Sequence, residues 1–153
     1  MNNLLIRARK EQCLVIWVIV AFEANYINAN LNSPIFSRAK QHNALELGSW
    51  GAELLSDLHY HDGELIIVKN AVNPFHATNL DHVLRCNNVS EIYLAGVSTE
   101  VAIQSCTRDA HDRGYQVNIV GDCCASSNSS FHHSSLEMLK LMANVVNSAD
   151  VLF

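Results

Sequence analysis

Short apolar runs alternate with amphipathic stretches along this chain. The longest run covers residues 13–22 and is rich in Val and Ile without alternation, the pattern of a fully buried parallel strand. A second run, Leu65-Ile66-Ile67-Val68, lies within 64–69, just after an Asp62-Gly63 turn signal. Two more strands are predicted at 91–95 and 116–120, and a last edge strand at 144–146. Helical spacing marks the intervals. Residues 3–12 read as the tail of a helix. Residues 52–58 read as a short helix with Leu54, Leu55 and Leu58 on one side. Leu80, Val83 and Leu84 are in phase within 79–85. A helix over 99–113 stops at Gly114, and one over 134–142 brings Leu136, Leu139 and Met142 together. Residues 22–49 are polar and Asn-rich and read as an irregular surface excursion. Strands alternating with helices predict an α/β fold, a three-layer α/β/α sandwich around a mostly parallel sheet. Ligands of such sheets bind beyond the carboxyl ends of the strands. Lys69 and the segment after position 95 can therefore line one crevice despite their separation in sequence.

Composition narrows the class. The chain has 153 residues, 49% hydrophobic and 16% charged, which suits one globular domain over 1–153 with a sizeable core. The net charge of −5 and the lack of a basic tract exclude nucleic acid as a partner. Five cysteines are an odd number with no C-x-x-C pair, as expected of reduced thiols in a cytoplasmic protein. Cys13 and Cys123 read as small core residues. Arg7, Arg9 and Lys10 ahead of the 13–22 run imitate a signal peptide. The run falls short of the ~20 residues that span a bilayer. The odd thiol count also argues against export, so the strand reading is favoured and no membrane association is expected.

The chemistry concentrates where the 91–95 strand turns into a helix, at Gly96-Val97-Ser98-Thr99-Glu100-Val101-Ala102. Backbone N–H groups at such a turn favour negative charge. Further segments keep a fixed order around it: Gly48-Ser49-Trp50-Gly51-Ala52-Glu53-Leu54, Ile66-Ile67-Val68-Lys69, Asn73-Pro74-Phe75-His76-Ala77-Thr78-Asn79-Leu80, Thr107-Arg108-Asp109-Ala110 with Gly114-Tyr115, and Gly121-Asp122-Cys123-Cys124-Ala125-Ser126-Ser127. Together, from 47 to 127, they resemble the isochorismatase-like hydrolases, or cysteine hydrolase superfamily.

That resemblance implies a fold, a reaction and a set of site residues. The family uses an aspartate as base, a lysine that supports the charged intermediate and, in most branches, a cysteine nucleophile that forms an acyl-enzyme. Lys69 matches the lysine. Ala102 stands at the nucleophile position. The aspartate normally ends a first strand that precedes the helix ending near Gln12, and no aspartate occurs before Asp57. The expectation is a family fold lacking its first strand. An open seam of unpaired backbone would remain, for a partner chain, an upstream piece or a rearranged sheet to fill. The resemblance also implies a cis peptide between Val97 and Ser98, substrate contacts from Phe75, Val97, Ser98 and Thr99, and a homo- or hetero-oligomer. Phe75 reads equally as core packing.

The expected function is a hydrolase acting on a small carbonyl or carboxylate compound, an amide C–N or isochorismate-type bond, with weak or no activity in this form. Two alternatives stand beside it. One is a non-catalytic binding or assembly subunit of a mixed oligomer. The other is a vinyl-ether hydrolase that needs no cysteine, although that branch keeps the aspartate and carries Ala-His where this chain has Thr99-Glu100. Cys106 lies one helical turn past Ala102, roughly 6 Å along the axis. The helix-terminus effect fades over that distance, so buried packing is favoured over a substitute nucleophile. No cofactor motif is read, and His59-x-His61 with Asp62 is a poor metal constellation without further ligands.

Overall fold

A computed structural model describes residues 1–153. Helix α1 (Asn2–Lys10) leads to β1 (Ile16–Val20), and α2 (Pro34–Gln41) lies in the excursion before β2 (Leu65–Lys69). Helix α3 (Leu80–Cys86) follows, then β3 (Glu91–Val97) and a π turn (Thr99–Ile103) that runs into α4 (Gln104–Asp112). Strand β4 (Gln116–Ala125), α5 (Ser129–Leu139) and β5 (Asn144–Val146) complete the order.

All paired strands are parallel, but they form two sheets, β1-β2 and β3-β4-β5. Ile16 pairs with Leu65 and Val20 with Lys69 in the first. In the second, a register shift falls between Leu94 and Gly96. No ladder joins β1 to β3. Burial follows the pairing. Strand β4 has neighbours on both edges, and residues 117–121 are all buried. Strand β1 has one neighbour, and the run expected to be fully buried over 13–21 shortens to five residues, of which only Trp17 is buried. No residue of β3 is buried.

Packing holds the two sheets in one layer. The largest core cluster joins Ile67 of β2 to Val117 and Ile119 of β4 through Leu80, Leu84, Ile103, Cys106 and Leu139, with Ile16, Ile92 and Leu94 packed against it. Side chains alternate faces along a strand, so Val120 points the other way, where it meets Leu4 of α1 and Val151. Helix α1 also ties the two sheets laterally. Arg9 Nε donates to Glu64 Oε1 at 2.7 Å, just before β2, and Trp17 Nε1 of β1 donates to Glu64 Oε2 at 2.7 Å. Arg7 donates to the Ser148 carbonyl at 2.6 Å and to the Val151 carbonyl, both beyond β5.

Several elements depart from the sequence pattern. The helix predicted over 52–58 is a single 3-10 turn, Trp50–Ala52, and Leu55 is 71% exposed. A helix this short needs one apolar face packed on the core, and here Leu54 and Leu58 are only half-buried while Leu55 is exposed. Residues 22–49 are not a featureless excursion: Pro34 at its first turn starts α2, and Phe22, Tyr26, Phe36 and Ala39 form a separate small core. Helix α5 begins at Ser129 rather than 134, because Asn128 accepts from the Ser130 and Phe131 amides at 2.9 and 3.3 Å. No helix is long and apolar enough to cross a membrane.

The Arg9 hydrogen bond is the main cause that holds the Glu64 carboxyl down to about 2, against the opposing effect of burial, with help from Trp17 and the His61 amide. A depressed carboxylate stabilises the fold above its unfolded pKa and stops doing so as pH falls through the folded one. Glu64→Gln should cost about 1–2 kcal/mol at neutral pH. Urea denaturation at a series of pH values should show the parent, but not the variant, losing that increment between about pH 4.5 and pH 2.

Candidate active-site crevice

The candidate site residues lie at the carboxyl ends of β2 and β3. Lys69 is the last residue of β2 and is 4% exposed. Its ammonium donates to the Val72 carbonyl, and none of the ion pairs in the protein includes it. Burial pushes its pKa down, while the nearby Cys106 sulfur works the other way. A buried amine facing a thiol and a carbonyl, with no carboxylate, is a site short of negative charge.

Gly96, at φ +120°, is the penultimate residue of β3, and a cis peptide joins Val97 to Ser98 at the place the resemblance implies. The Ser98 carbonyl accepts from the amides of Val101, Ala102 and Ile103 at 3.3, 3.0 and 3.2 Å. One carbonyl serving three amides produces the π turn instead of the plain helix start predicted at position 99. It also takes those three N–H groups out of use for a ligand. What the turn offers is the backbone of Val97, Ser98 and Thr99. Val97 is 74% exposed, and Thr99 is fully buried with its hydroxyl 2.8 Å from His132 Nδ1. Ala102 follows, half-buried.

Cys106 is 6% exposed and belongs to the main core. Burial pushes its thiol up to about 12, further than the Lys69 charge can draw it back, and Asp109 adds to the rise. Phe75 is also in the core, at 5% exposure. It stacks on Tyr115 at 6.0 Å, and the Arg113 guanidinium lies 4.9 Å over its ring. The loop around it is anchored by Asn73, which donates to Asp109 at 2.5 Å and accepts from the Phe75 amide at 3.0 Å.

Two features escaped the sequence. The Thr99–His132 contact crosses from the turn to α5, and only the early start of α5 at Asn128 would have brought His132 there. Beside Val72, the acceptor of Lys69, a cavity of about 350 Å³ is lined by Asn28, Asn30, Asn70, Ser33 and His76 with Phe36, Ala71 and Val72. Its polar lining comes largely from the excursion. No group of three or more His, Cys, Asp or Glu residues converges, and His59 and His61 contact the rest of the fold through their backbones.

Comparison with known proteins places this geometry. The isochorismatase domain model matches residues 1–150. The isochorismatase family protein YwoC of Bacillus subtilis (strain 168) is 26% identical over 131 residues, covering 86% of this chain and 68% of that protein. The isochorismatase family protein YecD of Escherichia coli O157:H7 is 29% identical over 75 residues, 49% of this chain and 40% of that protein. Among solved structures, an isochorismatase family protein from Desulfovibrio vulgaris superposes with a TM-score of 0.89 at 24% identity, over 97% of this chain and 78% of that one. N-carbamoylsarcosine amidase from Thermoplasma acidophilum gives 0.78 at 19% identity, over 99% and 82%. Nicotinamidase/pyrazinamidase from Bacillus subtilis gives 0.80 at 22% identity, over 95% and 81%.

Two outcomes follow from the burial in the crevice. In the native chain at pH 8, a thiol reagent such as DTNB should label Cys86 quickly and leave Cys106 and Cys124 unlabelled, whereas all five cysteines react in denaturant. Fast native labelling of Cys106 would contradict the buried, protonated thiol. Lys69→Met should keep the packing and relieve the unpaired amine, raising stability by about 1 kcal/mol in thermal or urea unfolding.

Proposed function

The chain belongs to the isochorismatase family, and from that premise we propose a hydrolase-like protein whose crevice binds a small carboxylate or carbonyl compound but turns it over weakly or not at all. The carrying observation is the charge balance at Lys69: a buried amine with a carbonyl and a protonated thiol beside it and no carboxylate within ion-pair reach. Acyl transfer needs a nucleophile with a base beside it. Ala102 supplies no nucleophile, Cys106 is buried and protonated, and nothing next to Lys69 can act as base. Binding makes lighter demands. A cation and the backbone of an exposed turn are enough to hold an anion. The vinyl-ether reading meets the same obstacle, because cleavage by acid–base chemistry also needs a proton carrier in the crevice.

The test uses nicotinamide, N-carbamoylsarcosine and isochorismate as substrates, and nicotinate as a carboxylate ligand, with the parent chain and Lys69→Ala. The expected result is no turnover above the uncatalysed rate, together with saturable nicotinate binding in calorimetry that Lys69→Ala weakens about tenfold or more. Turnover that Lys69→Ala abolishes would sink the incomplete-site reading. Binding indifferent to Lys69→Ala would remove the ligand role from the crevice.

A further inference from the structure

The cavity of about 350 Å³ beside Val72 is walled by two segments that meet only in the folded chain, residues 28–36 of the excursion and residues 70–76 after β2. Each wall is held by its own hydrogen bonds. In the first, Asn28 Oδ1 accepts from the Glu23 amide at 3.0 Å and Asn30 Oδ1 from the Asn32 amide at 3.1 Å. The Asn30 carbonyl accepts from the Ser33 amide at 3.0 Å. Phe36 belongs both to the lining and to the small core, with its ring 5.1 Å from that of Phe22. In the second wall the Lys69 ammonium holds the Val72 carbonyl, Asn73 Oδ1 accepts from the Phe75 amide at 3.0 Å, and the Asn73 carbonyl accepts from the His76 amide at 3.2 Å. Walls fixed in advance leave little to be ordered when a ligand enters.

Those bonds also decide what the lining offers. A backbone N–H needs an acceptor, so the side-chain oxygens of Asn28 and Asn30 are committed. Only their NH2 groups remain, which donate and cannot accept. Ser33 does not cap its own helix, and the side chains of Asn70 and His76 bond to nothing else in the protein. These three can each donate or accept. Phe36, Ala71 and Val72 add a short apolar stretch. No Asp, Glu, Lys or Arg side chain lines the cavity. A cation would find no carboxylate there and an anion no cationic side chain. The nearest charge, the Lys69 ammonium, stands on the far side of the Val72 carbonyl and further disfavours cations. A wholly apolar ligand would strip water from five polar side chains and give nothing back.

We propose that this cavity is a second binding site, for an uncharged, hydroxyl-rich small molecule of the sugar or polyol class. A hydroxyl donates and accepts on one atom, which is what this mixed lining demands. Ligand oxygens accept from the NH2 groups of Asn28 and Asn30. Ligand O–H groups donate to Asn70, Ser33 and His76, and the C–H skeleton lies against Phe36, Ala71 and Val72. The volume falls at the low end of ligand pockets, about 300–1,000 Å³, and so suits a small molecule. Neither Lys69 nor any residue of the Gly96–Ala102 turn is in the lining, and no part of β1 or β3 is. The inference therefore stands apart from the carboxylate or carbonyl ligand proposed for the crevice and does not rest on it.

Titration of the isotope-labelled full chain, followed by NMR at the side-chain amides of Asn28, Asn30 and Asn70, tests it. The probes are D-ribose and myo-inositol, with sodium acetate and choline chloride as charged controls. At least one polyol should shift all three amides along one saturable curve, with Kd of about 1–10 mM. The amides of Asn87 and Asn144, bonded elsewhere in the fold, should stay in place. Acetate and choline should give no saturable shift, and saturating nicotinate should leave the polyol curve unchanged. Asn70 holds no structural bond, so Asn70→Leu should preserve the backbone spectrum and weaken polyol binding about tenfold. The titration of the parent chain decides the matter even where the variant folds poorly. Linear, unsaturable shifts with both polyols would overturn the proposal. A saturable response to acetate or choline as tight as that to the polyols would make it a site for charge and overturn it too. So would displacement of the polyol by nicotinate, because the cavity and the crevice would then be one site, or binding by a well-folded Asn70→Leu as tight as the parent's.

Discussion

A parallel strand must satisfy two edges and two faces, and the edges of β1 and β3 shape most of this structure. Antiparallel sheets tolerate a solvated face; parallel ones are ordinarily covered on both and continuous across their middle. Here the middle is open. The two half-sheets are held in one layer by side chains rather than by a hydrogen-bond ladder: by the shared cluster from Ile67 to Ile119 and by α1, whose arginines reach Glu64 on one side and the segment after β5 on the other. Strand β4 shows what the other strands lack. With partners on both edges it buries five consecutive residues, while β3, with nearly the same apolar character, buries none.

The crevice inherits this division. Lys69 comes from the two-stranded sheet, and the Gly96–Ala102 turn comes from the three-stranded one. Their relative placement depends on packing between Ile67, Ile103 and Cys106 and on no continuous backbone ladder. Side-chain contacts fix position less rigidly than a row of main-chain hydrogen bonds, because each can repack by a rotamer change.

Much of this was legible in the sequence, and the exceptions have physical causes. The apolar runs gave all five strands, and Lys69, Gly96 and Gly114 fell where a strand end, a turn and a helix stop require them. The motif order pointed to the family, which the domain match over residues 1–150 shows. What failed were inferences that needed a tertiary partner. Leu54, Leu55 and Leu58 have helical spacing, but Leu55 is exposed and the other two only half-buried, and no helix forms. Phe22, Tyr26 and Phe36 sit among asparagines, so their small core does not stand out as a periodic signal. The start of α5 was readable from Asn128 as a cap, and overlooking it concealed the Thr99–His132 contact. Burial of the 13–21 run was overestimated because composition reports what a strand can bury, not whether both of its edges are paired.

The chemistry left in the crevice follows from charge rather than from shape. A site that cleaves a carbonyl or vinyl-ether bond must move a proton, and that requires a group whose two protonation states are both accessible near neutral pH. Burial moves the two groups at the crevice in opposite directions, the amine of Lys69 downward and the thiol of Cys106 upward. A carboxylate between them would oppose the first shift by stabilising the ammonium, and it would also be the natural proton acceptor. Without one, the thiol holds its proton throughout the physiological range and the amine has only neutral neighbours. In the function proposed above, an incoming carboxylate would supply the charge that Lys69 lacks, and the same missing carboxylate is the group that proton transfer would require.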